Sequence, residues 1–255
     1  MIIRDKYLKR MMDAMDTDFI KIITGLKRSG KSMLLLMFKN YLLENGILED
    51  NIIYINFESA MYDEIKDYKD LYNYVKTRVK KEKIYLLLDE VQNVLAWEKA
   101  IKSFKVDFDI DIYITGSNAY LTSHELSTLL SGRYIEIKMY LLSFKEFLTF
   151  NNYDNSNLEE KFNEYLKYGG LPAISLIKNN DELVLSYLNE IYNTIVIKDI
   201  IDRNNIKDTA LLENIIRYIS SNIGSPVSSL KMLEKSFIFY KADRTDIRSK
   251  AVLKT

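Results

Sequence analysis

Gly25-Leu26-Lys27-Arg28-Ser29-Gly30-Lys31-Ser32 spells the pattern G-x-x-x-x-G-K-[ST] in full. Backbone amides can close around a chain of phosphates only where side chains leave the turn open, hence glycine at 25 and 30. In such a loop Lys31 reaches the β- and γ-phosphates, and the Ser32 hydroxyl meets Mg²⁺. Lys27, Arg28 and Ser29 stand between the glycines; the two basic side chains read as solvated, with phosphate, partner or DNA as their alternative contacts. Farther along, Ile84-Tyr85-Leu86-Leu87-Leu88 is apolar on both faces and ends in Asp89-Glu90. That order suits one carboxylate, Asp89, for the Mg²⁺ water shell and a second, Glu90, to orient and polarise an attacking water.

Two further sites carry polar groups at chain positions suited to the same chemistry. Ile114-Thr115-Gly116-Ser117-Asn118 closes the next apolar run, where Ser117 or Asn118 would sense a γ-phosphate or the lytic water, or else cap a helix. Gly132-Arg133 follows the next helical stretch. Arg133 fits an arginine finger acting on a neighbour's nucleotide, a ligand of its own nucleotide, or a structural ion pair. His124 reads as a surface residue, and Trp97 and Phe104, seven residues apart, as core of one helix.

These groups must be held by something, and the periodicity says what. Strands are expected at 19–24, 51–57, 84–88, 110–115 and 134–139, alternating with helices at 31–43, 62–80, 94–106 and 119–130 after a short helix at 4–15. Strands that alternate with helices five times call for a parallel sheet covered on both faces. Beyond residue 142 the alternation stops, and helices are expected at 143–150, 157–168, 181–200 and 207–222, broken by Gly169-Gly170-Leu171-Pro172. The reading is an α/β phosphate-loop domain over 1–142, a helical domain over 143–222 and a remainder over 223–255, with the first boundary near 141–155.

Composition narrows the classes. The chain has 255 residues, no cysteine and one histidine, which rules out thiolate and His-cluster metal sites. Lysine plus arginine equals aspartate plus glutamate at 36 each, so no global field favours nucleic acid or anionic lipid. The apolar runs are too short and too interrupted by charge for a membrane helix, and the expectation is a soluble, cytoplasmic protein.

The residues together resemble bacterial and archaeal AAA-type ATPases in which a P-loop domain, with its Walker A and Walker B motifs, precedes a C-terminal domain of unknown function. GLKRSGKS at 25–32, LLLDEVQNVLAWEKAIK at 86–102 and ITGSNAYLTSHELSTLLSGRYIEIKMYLLSFKEFL at 114–148 carry the likeness. YGGLPA at 168–173 and IKDIIDR at 197–203 extend it into the helical part. The resemblance implies ATP binding with Mg²⁺ and ATP hydrolysis. It places Gly25, Gly30, Lys31, Ser32, Asp89 and Glu90 at motif positions, and Ser117 and Arg133 where such proteins carry later conserved polar groups. Leu141 stands where proline is expected, and residues 228–235 join the start of a winged-helix segment directly to its end. That departure weighs against DNA recognition by this chain.

Three functions follow in order. The first is an ATPase that couples hydrolysis to a conformational change, on a protein or DNA partner or within a homo-oligomer. The second is a nucleotide-gated binding module or shortened ATPase with little turnover. A metabolite kinase or GTPase comes last, since Asp89-Glu90 favours water activation and no Asn-Lys-x-Asp guanine reader is present. Lys241, Arg244, Arg248, Lys250 and Lys254 give the end of the chain a local basic excess, read as a solvated tail or as the remnant of a nucleic-acid contact.

Overall fold

Side chains alternate across a strand, so odd and even positions must find different partners. The computed structural model describes residues 4–116, 132–177, 180–194 and 199–225, and within these the partners are two layers of helices. The chain runs α1 (Asp5–Asp13), β1 (Ile20–Gly25), α2 (Lys31–Glu44), β2 (Ile52–Asn56), α3 (Tyr68–Lys76), β3 (Ile84–Asp89), α4 (Trp97–Asp107), β4 (Ile110–Thr115) and β5 (Tyr134–Met139). On one face Ile84, Leu86 and Leu88 of β3 and Ile110, Ile112 and Ile114 of β4 pack with Leu71 and Val75 of α3 and with Trp97, Ile101 and Phe104 of α4. On the other, Tyr85, Leu87 and Tyr113 meet Tyr7 and Met11 of α1 and Leu34, Leu35, Phe38 and Leu42 of α2. Each such side chain contributes about 1.5–3 kcal/mol on burial, which makes the strand parity strongly specified.

The five strands are parallel in the order β2-β3-β4-β1-β5. β4 therefore lies between the strand that leads into the glycine loop and the strand that ends in Asp89. β1, β3 and β4 are buried along their whole length, as expected for the centre of a parallel sheet.

Two helices begin later than the periodicity alone predicts. α3 starts at Tyr68 because Asp67 accepts the amides of Lys69 and Asp70 while Asp70 answers in a capping box. α4 starts at Trp97, after a 3₁₀ turn over Val91–Asn93 and a left-handed Ala96 at φ 57°. Trp97 and Phe104 are both buried. The helix expected at 119–130, with Ser117, Asn118 and His124, lies outside the described residues, as does the segment from 226 onward.

After β5 come α5 (Phe144–Phe150), α6 (Leu158–Tyr168) and a 3₁₀ turn over Pro172–Leu176. The chain divides into two compact units between Asn180 and Asp181. Within the first unit, Leu142 N–H reaches Gly170 O at 2.7 Å, and Tyr165 donates its hydroxyl to Leu142 O at 2.8 Å. Gly170 permits this approach, since a Cβ there would stand 2.4 Å from Leu142 O. The second unit holds α7 (Asp181–Ile191), α8 (Asp199–Asn204) and α9 (Thr209–Ser221), the last capped by the Asp208 side chain. The single helix expected over 181–200 is thus recorded as α7 and the start of α8, with 195–198 outside the described residues.

Candidate functional site

β1 ends at Gly25 beside Met139 of β5. The approach is so close that a Cβ on residue 25 would stand 2.3 Å from Met139 O, so only glycine fits. The loop then turns through a left-handed Arg28 (φ 65°) and Gly30 (φ 99°) into α2. No side chain caps α2, and the first amides of a helix lack intrahelical acceptors, so its N-terminus presents free N–H donors and the positive end of the helix dipole. Ser29 Oγ is buried without a hydrogen-bond partner. Lys31 is buried too, and its Nζ donates to Leu26 O at 3.3 Å and Gly25 O at 3.4 Å. Lys27 and Arg28 are exposed on the outer turn.

The parity of β3 aims Asp89 at the same place. Residues 85, 87 and 89 share the face covered by α2, so the last carboxylate of the strand looks toward the glycine loop. Register sets its neighbour: Leu88 pairs with Ile114, so the next residues, Asp89 and Thr115, stand side by side. The Thr115 hydroxyl donates to Asp89 Oδ1 and accepts the backbone N–H of Glu90 at 3.0 Å. Tyr54 from β2 donates to Asp89 Oδ2 at 3.3 Å. Burial raises the Asp89 carboxyl above the ordinary aspartate range, against the pull of the Thr115, Ser32 and Tyr54 hydroxyls.

Glu90 follows in a left-handed conformation, φ 55°, that turns its side chain out of strand alternation. Its carboxylate lies 3.7 Å from Lys31 Nζ and accepts a hydrogen bond from Gln92 Nε2. Burial pushes the Lys31 ammonium below the ordinary lysine range, while Glu90 and Asp89 draw it back up. A cavity of about 940 Å³ opens over the loop, lined by Lys27, Arg28, Ser29, Gly30, Lys31, Ser32, Glu58 and Glu90 and, on its apolar side, by Met33, Met37, Met139, Phe150 and Leu176.

Geometry thus brings together Gly25, Ser29, Gly30, Lys31, Ser32, Asp89 and Glu90. An uncapped helix N-terminus, a buried ammonium and an orphaned serine hydroxyl suit a chain of phosphates. Among the described residues no group of three or more His, Asp or Glu side chains could hold a metal. A cation would be held by the oxygens of Ser32 and Asp89 with phosphate and water, as suits Mg²⁺.

Arg133 is not part of this cluster. It precedes β5, where Tyr134 stands beside Ile20, whereas the glycine loop follows the far end of the strand pair, where Met139 stands beside Gly25. Six residues of strand separate the two ends, roughly 20 Å. Arg133 is exposed there, its carbonyl accepts Ile20 N–H at 3.1 Å, and its charge helps lower the Asp18 carboxyl, after the larger effects of Lys105. Sequence reasoning missed Thr115, Tyr54 and Gln92. Thr115 carried a usable signal, a hydroxyl ending a buried strand next to the one that ends in Asp89.

Residues 17–148 match a family described as an AAA domain, and residues 159–250 match one described as a domain of unknown function. An uncharacterized protein of Haemophilus influenzae is 42% identical, covering 100% of this chain and 70% of its own length. That alignment runs over 281 positions, so this chain of 255 residues lacks some that the relative has. The uncharacterized protein MJ1544 of Methanocaldococcus jannaschii is 32% identical over 80% of this chain, which spans 47% of that protein's length. Among solved structures, the Walker-type ATPase paby2304 of Pyrococcus abyssi superposes with a TM-score of 0.55 at 13% identity, over 92% of this chain and 90% of that one, a likeness of fold. With more than half of its length matched by that domain, the chain belongs to the AAA domain family.

Proposed function

We propose that the chain binds ATP with Mg²⁺ at the glycine loop and hydrolyses it, and that hydrolysis drives a conformational change. The observation that carries this reading is the convergence of Lys31, Asp89 and Glu90 on one uncapped helix N-terminus, with Lys31 Nζ 3.7 Å from the Glu90 carboxylate. In this reading the amides of Gly30 through Ser32 and the Lys31 ammonium hold the phosphates. Ser32 and Asp89 hold the cation, whose part is to neutralise charge on the phosphates. Glu90, released from Lys31 once phosphate takes its place, orients a water and accepts its proton as the water attacks the terminal phosphoryl group. Ser117 and Asn118, at the tip beyond β4, are proposed to sense that phosphoryl group. The partner is proposed to be a second copy of the chain, another protein or DNA. The reading includes a cytoplasmic location.

Phosphate release from ATP by the purified protein tests the proposal, measured with and without Mg²⁺ and with and without duplex DNA. Turnover that requires Mg²⁺ and is lost in Glu90→Gln supports it. Tight nucleotide binding with no release in the wild type would leave a nucleotide-gated binding module instead, a reading favoured by one observation: Glu90 here is already occupied by Lys31 and Gln92.

A further inference from the structure

Arg4 lies in the first described turn of the chain and is 4% exposed, an unusual position for a guanidinium unless every donor is met. All five N–H groups have acceptors. Nε and Nη2 grip the Glu146 carboxylate at 2.9 and 3.1 Å. Nη1 donates to Tyr140 O at 2.8 Å and to Ser29 O at 3.2 Å, and Nη2 also donates to Leu141 O at 3.3 Å. Tyr7 stacks beneath the guanidinium at 4.6 Å, and its hydroxyl accepts Tyr140 N–H at 3.1 Å. Glu146 is itself fixed as the far half of the capping box of α5, accepting Ser143 N–H at 2.8 Å. One side chain thus joins the glycine loop, the chain leaving β5 and the start of α5.

The bond to Ser29 O has a consequence for the loop. In a planar trans peptide the C=O and the following N–H point in opposite directions. Holding Ser29 O against Arg4 therefore aims Gly30 N–H away from it. Gly30, on one side of that peptide, is left-handed at φ 99°, and a glycine, lacking Cβ, restrains the peptide before it less than other residues do. We propose that Arg4 is a positioning residue for the phosphate site: with Glu146 as its anchor, it sets the orientation of the Ser29–Gly30 peptide so that Gly30 N–H is presented to phosphate. This rests on the nucleotide-binding reading above. It also gives a physical reason for the glutamate in the Leu142-Ser143-Phe144-Lys145-Glu146-Phe147 segment, which the phosphate chemistry alone does not need.

The test is the affinity for a fluorescent ATP analogue, with thermal melting of the nucleotide-free protein, in wild type, Arg4→Lys, Glu146→Gln and a control, Phe104→Leu, in the core of the opposite sheet face. Lysine keeps the charge but not the five-donor fork. Arg4→Lys and Glu146→Gln are expected to lose at least about tenfold in affinity, as for a charge-assisted contact. The Phe104→Leu control should melt earlier but bind as wild type does. Equal affinity in all four proteins, or a loss that merely tracks the melting temperature, overturns the proposal. So would collapse of the fold in both cluster variants, which would make the cluster a folding requirement. A wild type that binds no nucleotide would instead defeat the reading of the site itself.

Discussion

The Thr115 hydroxyl accepts the Glu90 backbone N–H at 3.0 Å while donating its own proton to Asp89. One buried hydroxyl on β4 thus ties the Asp89 carboxylate to the backbone of Glu90, which sits in a left-handed conformation at φ 55° that is uncommon for a non-glycine residue. Thr115→Val removes both bonds without changing shape and leaves a buried N–H unpaired, which costs about 1–3 kcal/mol. The expected outcome is a melting temperature several degrees lower and a large loss of turnover, both recovered by Thr115→Ser. Wild-type turnover in the valine variant would show that Glu90 needs no such support.

Lys31→Ala and Glu90→Gln should separate binding from chemistry. Loss of the ammonium removes a charge-assisted contact of about 1.5–3 kcal/mol, so titration calorimetry should find ATP affinity largely abolished in Lys31→Ala. Glu90→Gln keeps the shape of the site and should bind ATP while slowing hydrolysis by roughly 10² or more. Equal affinity in Lys31→Ala, or unchanged turnover in Glu90→Gln, contradicts the roles assigned to them.

At the other end of the sheet, Lys21 and Asp111 form an ion pair that is wholly buried, 0% and 1% exposed. Tyr113 O–H donates to Asp111 at 3.2 Å and Asp16 N–H at 2.9 Å, so the carboxylate is fully engaged. Burial pushes the Lys21 ammonium down against the pull of Asp111. Lys21→Met strands a buried carboxylate and should cost about 3–5 kcal/mol in chemical denaturation, whereas Lys21→Met with Asp111→Leu should recover most of it. Equal stability of the single and double variants would show the pair is not energetically coupled.

Glu146 makes part of the stability depend on acid. Burial alone would raise its carboxyl, but the bonds from Arg4 and Ser143 overcome that and hold it below its ordinary value of 4.5. A carboxyl lowered in the fold stabilises the protein above the unfolded value, and that stability is lost as pH falls below 4.5 toward the lowered value. Denaturation midpoints measured from pH 6 down to about 3 should therefore fall less steeply in Glu146→Gln than in wild type. Parallel curves would assign the acid sensitivity to other carboxylates.

The parts of the site legible in the sequence were those set by local rules. The glycine loop is a contiguous pattern, and strand parity carries Asp89 to the face of α2 once β3 is recognised. The residues that escaped depend on contacts between distant segments. Arg4 meets Ser29 and Glu146 across long stretches of chain, contacts that no local pattern announces. Thr115 acquires its role from the register of β3 with β4, which no single-strand pattern encodes. Lys21 and Asp111 look like interruptions of apolar strands until the register sets Tyr113 beside Lys21 and brings Asp111, two residues earlier, into its reach. Gly170 read as a helix breaker, while its structural use is the close approach of Leu142 O.

Arg133 offers the last test, because its place at the far end of β5 from the glycine loop sets it roughly 20 Å from the phosphates of its own chain. An exposed guanidinium at that distance can reach a nucleotide only in a second copy of the chain, docked so that this end of one subunit faces the loop of the next. If it acts so, turnover per subunit should rise with protein concentration, and Arg133→Ala should bind ATP normally but hydrolyse it slowly. Mixing Arg133→Ala with Glu90→Gln should then restore part of the activity, since some interfaces would combine an intact Glu90 with an intact Arg133. Turnover independent of concentration, with no recovery on mixing, would confine Arg133 to the electrostatics of Asp18, just before β1.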